Sequence, residues 1–154
     1  MSATQRILPP VLMADDDVDD CTLASEAFKL ARVDNPLRCL YDGEKLIEYL
    51  RECVSQRSRF ECFPALILLD LNMPRMDGRE TLQVLKADPL LKDIPVVVWT
   101  TSRSEDDVRR AKSAGCDDYI IKPSSFTEMV GIVRHLGERW LGGGHANGSG
   151  GAAA

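Results

Sequence analysis

Five aspartates fall within six positions in the stretch VLMADDDVDD, Val11 to Asp20, directly behind a short apolar run. Like charges at neighbouring positions repel, so a folded chain must gain something by holding them together. A further aspartate, Asp70, closes the apolar run ALILLD, while Thr100 closes VVVWT and Lys122 closes DYIIK. If these runs are strands of one parallel sheet, their carboxyl ends share a rim, where open α/β sheets bind ligands. Asp15, Asp16 and Asp70 then meet a hydroxyl and an ammonium. Three clustered carboxylates raise one another's pKa values unless a cation relieves them. Mg²⁺ suits such a set, because it takes a few carboxylates together with phosphate oxygens and water. Lys122 and Thr100 would face an anion beyond that cation. An aspartate can itself be the nucleophile, forming an acyl phosphate, with the cation and the lysine neutralising charge on the transferred group.

Such a rim requires alternating strands and helices, and the chain supplies them. VLMA (Val11–Ala14), LRCLY (37–41), ALILLD (65–70), VVVWT (Val96–Thr100) and DYIIK (118–122) read as short strands. Between them lie segments of helical period. CTLASEAFKLA places Leu23, Ala27 and Leu30 on one face, with Ala24, Phe28 and Ala31 beside them. GEKLIEYLRE carries Leu46, Ile47 and Leu50, and GRETLQVLKAD carries Leu82 and Leu85 before Pro89 stops it. SEDDVRRAKSAG has Ser104 as N-cap, acids in its first turn and Gly115 as its stop. Ser125 and Glu128 suggest a capping box for a last helix burying Met129, Ile132, Val133, Leu136 and Trp140. Continuous apolar strands separated by helices predict an α/β fold, a doubly wound (βα)5 with a parallel five-stranded sheet covered on both faces. The fold is expected over residues 1–141, with 142–154 a flexible Gly/Ala-rich tail.

Composition narrows the class. With 44% hydrophobic and 28% charged residues among 154, the chain has the make-up of one soluble globular domain. A formal net charge of −5 gives no reason to expect nucleic acid as a partner. No apolar run approaches the roughly 20 residues of a membrane span, and the start lacks a signal-peptide core, so a cytoplasmic protein is expected. Cys21, Cys39, Cys53, Cys62 and Cys116 are scattered without Cys-x-x-Cys pairing, which favours reduced thiols over a zinc site.

Taken together, the acidic pair, Asp70 in LLDLNMPRMDG, Thr100 in VVVWTTS and Lys122 in YIIKP resemble the receiver domains of two-component response regulators, over about Ile7 to Leu141. The resemblance implies a flavodoxin-like sheet of order 2-1-3-4-5, as in the chemotaxis regulator. It implies that Asp70 accepts a phosphoryl group from a sensor histidine kinase, with Mg²⁺ (or Mn²⁺) held by Asp16, by Asp15 through water, by Asp70, and by the Asn72 carbonyl. Lys122 would pair with the phosphoryl oxygens, Thr100 would turn its hydroxyl towards them, and Tyr119 would swing inward in response. Lys122–Pro123 is expected to be cis, with Pro74 and Gly78 shaping the loop after the acceptor. LNMPRMDGRE, PVVVWTTSRSEDDV and the final RW-L look most like the stand-alone regulators associated with bacterial phytochromes, which makes a phytochrome the expected kinase. That subgroup implies a homodimer through the fourth helix, fifth strand and fifth helix, involving Tyr119, Ile132 and Trp140. Thr101 is bulkier than the alanine common after the switch threonine, and would restrict access to an acyl phosphate.

Blander readings stand beside these. Asp17, Asp19 and Asp20 read as a helix cap and as complements to its dipole, worth roughly 0.3–1 kcal/mol each. Thr100 alone is an ordinary strand residue, and His135 reads as a surface residue. Asp15, Asp17, Asp19 and Glu26 fall at positions 1, 3, 5 and 12 of a calcium loop, but Asp20 stands where that loop needs glycine. A phosphatase of the haloacid dehalogenase type would need threonine where Asp19 stands. A degenerate receiver that binds partners without phosphorylation is the remaining alternative.

Overall fold

The computed structural model describes residues 7–56 and 62–142. Ten elements alternate along them: β1 (Val11–Ala14), α1 (Val18–Leu30), β2 (Leu37–Leu40), α2 (Gly43–Ser55), β3 (Leu66–Leu69), α3 (Gly78–Ala87), β4 (Val96–Thr100), α4 (Glu105–Ser113), β5 (Asp118–Ile121) and α5 (Phe126–Trp140). The strands form one parallel sheet in the order β2-β1-β3-β4-β5. This is the expected doubly wound α/β fold, with every predicted strand and helix in place. The tail expected from Gly142 onward lies, apart from Gly142 itself, outside the described residues.

Every side chain of β1, β3 and β4 is buried, as two-sided covering requires. Strand alternation sorts these side chains to opposite faces of the sheet. Leu12, Ala14, Ile67, Leu69, Val96 and Val98 join Leu46, Ile47, Leu50, Leu82, Leu85 and Ala111 of α2, α3 and α4 in one cluster. Val11, Met13, Leu66, Leu68, Val97 and Trp99 join Ala24, Ala27 and Phe28 of α1 and Met129, Val133 and Leu136 of α5 in the other.

Several expectations are corrected. Helix α1 starts at Val18 and buries Cys21, Ala24, Ala27 and Phe28, leaving Leu23 and Leu30 exposed. Small residues occupy the inward stripe because α1 packs closely against the sheet and α5. Among the candidate caps, Asp17 alone is the N-cap, accepting from the Asp19 and Asp20 amides at 2.9 and 3.3 Å. The reciprocal capping box belongs to Asp77 and Glu80 on α3. At α5 only the Ser125 half forms, its hydroxyl accepting from the Glu128 amide at 3.1 Å. Ser104 and Gly115 (φ 103°) bound α4 as expected. Cys53 and Cys62, taken from the sequence as thiols, are paired, with their Cα atoms 5.8 Å apart. The pairing follows from helix α2 running on to Ser55, so that its last turn meets the segment entering β3.

Candidate functional site

The rim at the carboxyl ends of the strands carries four acids and one base. Asp15 follows β1 and is fully buried, Asp70 follows β3 and is 6% exposed, and Asp16 faces solvent. Their side chains offer one oxygen each within 4.8 Å of one another, a spacing that can hold a metal ion. Lys122, after β5, sends its ammonium into this cluster, with Nζ 2.7 Å from Asp15 Oδ2, 3.1 Å from Asp70 Oδ2 and 2.7 Å from Asp20 Oδ2. Thus Asp15, Asp16, Asp70 and Lys122 are brought together at one rim.

The backbone fixes the acids before any ligand arrives. The Asp17 amide donates to Asp15 Oδ1 at 2.9 Å and the Asn72 amide to Asp70 Oδ1 at 3.2 Å. The loop after Asp70 turns tightly under Gly78, where a Cβ would stand 2.1 Å from the Asp70 carbonyl oxygen and 2.6 Å from Leu71 Cα. No other residue fits there. Arg75, in the same loop, adopts a positive φ of 66° and pairs with Asp42 at 3.4 Å. Asn72 and Pro74 are exposed.

Electrostatics at the rim are unbalanced. Burial pushes the Asp15 carboxyl up to about 6, and its bonds to Lys122 and the Asp17 amide only partly oppose this. Burial disfavours the Lys122 charge, but Asp15, Asp20 and Asp70 outweigh it and hold that pKa above its ordinary value. Asp15 Oδ2 is shut off from solvent, with the Lys122 ammonium 2.7 Å away as its counter-charge. Three carboxylates, two of them buried, with one oxygen each within 4.8 Å of one another form a donor set that a hard divalent cation fits. Asp15, Asp16 and Asp70 would hold it.

The remaining expected residues sit one step away. Thr100 ends β4, fully buried, and its hydroxyl accepts from the Ser102 amide at 3.3 Å. Tyr119 is half-buried on β5 and its hydroxyl donates to the Ser102 carbonyl at 2.9 Å. Thr101 is exposed. The Lys122–Pro123 peptide, expected cis, is trans, as are all peptides among the described residues. The Lys122 amide donates to the Thr100 carbonyl at 2.8 Å, so strand pairing already carries Lys122 to the rim with the more stable isomer.

Four residues escape a linear reading. Asp20 serves Lys122 rather than the helix cap. Ser102 joins Thr100, Tyr119 and Asp107, donating to the Asp107 carboxylate at 2.6 Å, and Arg79 clasps the same carboxylate at 2.9 Å. For Asp20 a signal exists. It stands four, seven and eleven residues before Ala24, Ala27 and Ala31, on the inward stripe of α1.

Comparison with known proteins agrees with this geometry. The family described as response regulator receiver domain matches residues 11–134. Response regulator Rcp1 of Synechocystis is 37% identical over 137 residues, covering 86% of this chain and 90% of Rcp1. The structure of the phosphorylated cyanobacterial phytochrome response regulator RcpA superposes with a TM-score of 0.77 at 35% identity, over 88% of this chain and 95% of RcpA. The Mn²⁺-bound form of Rcp1 gives 0.74 at 35% identity, over 87% and 94%. With its sheet order, its acid-and-lysine rim and these relatives in agreement, the chain belongs to the response regulator receiver domains and is similar to those of phytochrome signalling.

Proposed function

We propose that Asp70 is the phosphoacceptor of a Mg²⁺-dependent switch, loaded from the phosphohistidine of a sensor histidine kinase. The observation that carries this reading is the position of Asp70: a nearly buried carboxylate between two further acids and an ammonium 3.1 Å away. In the transfer, an Asp70 oxygen forms a bond to phosphorus as the bond from phosphorus to the donor breaks, and the donor leaves with that electron pair. Asp15, Asp16, Asp70 and the Asn72 carbonyl would hold Mg²⁺, which would supply positive charge to offset that of the transferred phosphoryl group. Lys122 contributes a further positive charge, its ammonium 3.1 Å from Asp70 Oδ2. The Asn72 amide keeps the Asp70 carboxylate aimed, and Gly78 lets the loop beneath it turn.

Thr100 and Tyr119 read the outcome. Turning the Thr100 hydroxyl to the new anion withdraws it from the Ser102 amide, and Tyr119 holds the same residue through its carbonyl. The loop at Ser102 therefore registers phosphorylation and passes it to α4 and β5. The domain catalyses only its own phosphoryl gain and loss, with Thr101 at the mouth limiting access of water. Similarity to the phytochrome regulators supports a bacterial phytochrome as the kinase. A homodimer through α4, β5 and α5 would extend the signal to a second copy. Among the described residues, no helix is long and apolar enough to cross a membrane.

Incubation with Mg²⁺ and acetyl phosphate should add one phosphate to the intact chain, read by mass spectrometry, and Asp70→Asn should add none. An adduct that survives Asp70→Asn refutes the assignment. Unphosphorylated wild-type protein that still binds its partner would favour the phosphorylation-independent module.

A further inference from the structure

Lys122 carries three N–H donors on one ammonium, and three carboxylates lie within ion-pair distance of it. Two of them, Asp15 and Asp70, belong to the set of acids spaced for a cation. The third, Asp20, does not. Its Oδ2 accepts from Nζ at 2.7 Å, shorter than the 3.1 Å bond from Nζ to Asp70.

The position of Asp20 is rigid. It lies in the first turn of α1, where the N-cap Asp17 accepts its amide, and its side chain is 27% exposed. Its carboxylate also complements the positive end of that helix. The lysine, by contrast, ends a flexible four-carbon stem with three rotatable donors. When a cation and a phosphoryl group draw on Asp15 and Asp70, Asp20 is the one carboxylate of the three left to hold the ammonium from outside the reacting atoms.

We infer that Asp20 is a positioning residue that anchors the Lys122 ammonium at the rim, beside Asp70, before and during phosphoryl uptake. It touches neither the phosphoryl group nor the cation. Fixing the ammonium in advance removes the search that a free lysine would make for each transfer, and misplacement of a charge by about an ångström slows chemistry by an order of magnitude or more.

The anchor is tested in ¹⁵N-labelled full-length protein by following proton exchange of the Lys122 ammonium with water. This readout does not depend on the phosphoacceptor reading. Asp20→Asn should speed that exchange by about tenfold or broaden the signal away. Asp19→Asn, on the same turn but exposed, should leave it unchanged. A second readout rests on the proposed function: with Mg²⁺ and acetyl phosphate, where Asp70 takes the phosphoryl group and acetate leaves, Asp20→Asn should slow uptake about tenfold. The half-saturating Mg²⁺ concentration should stay within about twofold, since Asp20 lies outside the metal set. Asp20→Glu should recover part of the rate, and Asp20→Ser gives a second test of the loss. Unchanged exchange in both Asp20→Asn and Asp20→Ser overturns the anchor, as does an equal effect from Asp19→Asn. If wild-type protein takes up no phosphate, the phosphoacceptor reading fails, and the exchange experiment alone decides the anchor.

Discussion

Asp15 shows how a single residue can be held for function at the expense of stability. Its carboxylate is fully buried, and burial raises its pKa to about 6 despite the Lys122 ammonium beside it. Replacing it by the isosteric amide removes a charge that the metal-free fold must desolvate. Asp15→Asn should therefore leave the metal-free protein as stable as wild type or more so, by up to about 1–3 kcal/mol. The same variant should lose the stabilisation that added Mg²⁺ gives wild type, because ligand binding to the folded state alone raises the melting temperature. Thermal melts with and without Mg²⁺ measure both effects. A large loss of metal-free stability in Asp15→Asn would show that the Lys122 ion pair outweighs desolvation there.

At the scale of elements, glycines separate what a backbone demands from what it merely tolerates. At Gly78 an added Cβ meets backbone atoms of Asp70 and Leu71, which cannot move without displacing the acceptor. Gly78→Ala should cost about 2–4 kcal/mol in urea unfolding and slow phosphoryl uptake with it. Gly131 on α5 has open space around the position of a Cβ, so Gly131→Ala should gain about 0.5–1 kcal/mol from helix propensity. Gly137 is buried where α5 meets Val33, whose Cγ2 lies 2.9 Å from an added Cβ. Elements were legible in the sequence wherever residue size and period agreed. The run Val96–Thr100, apolar up to its last residue and rich in β-branched side chains, reads as the strand observed. On α1 the largest residues, Leu23 and Leu30, pointed to the wrong face, because close packing selects alanine and cysteine. The rim followed from strand ends alone, whereas Asp20 needed the spatial approach of Lys122, 102 positions along the chain. Local sequence shows an acid near a helix start, and capping is the nearer explanation.

For the whole molecule, acid tolerance reports on links between elements. The Asp107 carboxyl on α4 is held below its ordinary pKa, first by the Ser102 hydroxyl and then by Arg79 on α3. A carboxyl whose folded pKa is depressed contributes stability that is present above its unfolded value, near 4, and lost as pH falls through the folded one. Asp107→Asn should therefore lower stability at neutral pH and flatten the acid limb of a stability–pH curve, with the two proteins converging at the acid end. Chemical denaturation across that range checks it. Parallel curves of equal height would mean that the clasp between α3 and α4 contributes nothing.

The two faces of the sheet also differ in when they can be completed. One is covered by α2, α3 and α4, which follow one another along the chain, while the other needs α1 and α5 together. A chain emerging from the ribosome can assemble the first face from neighbours, but Val97 and Trp99 wait uncovered for Met129, Val133 and Leu136. Until residue 122 appears, the same nascent chain holds Asp15, Asp16, Asp20 and Asp70 without the ammonium that three of them share. The rim's charge balance is thus completed by the same C-terminal segment that closes the second face of the sheet.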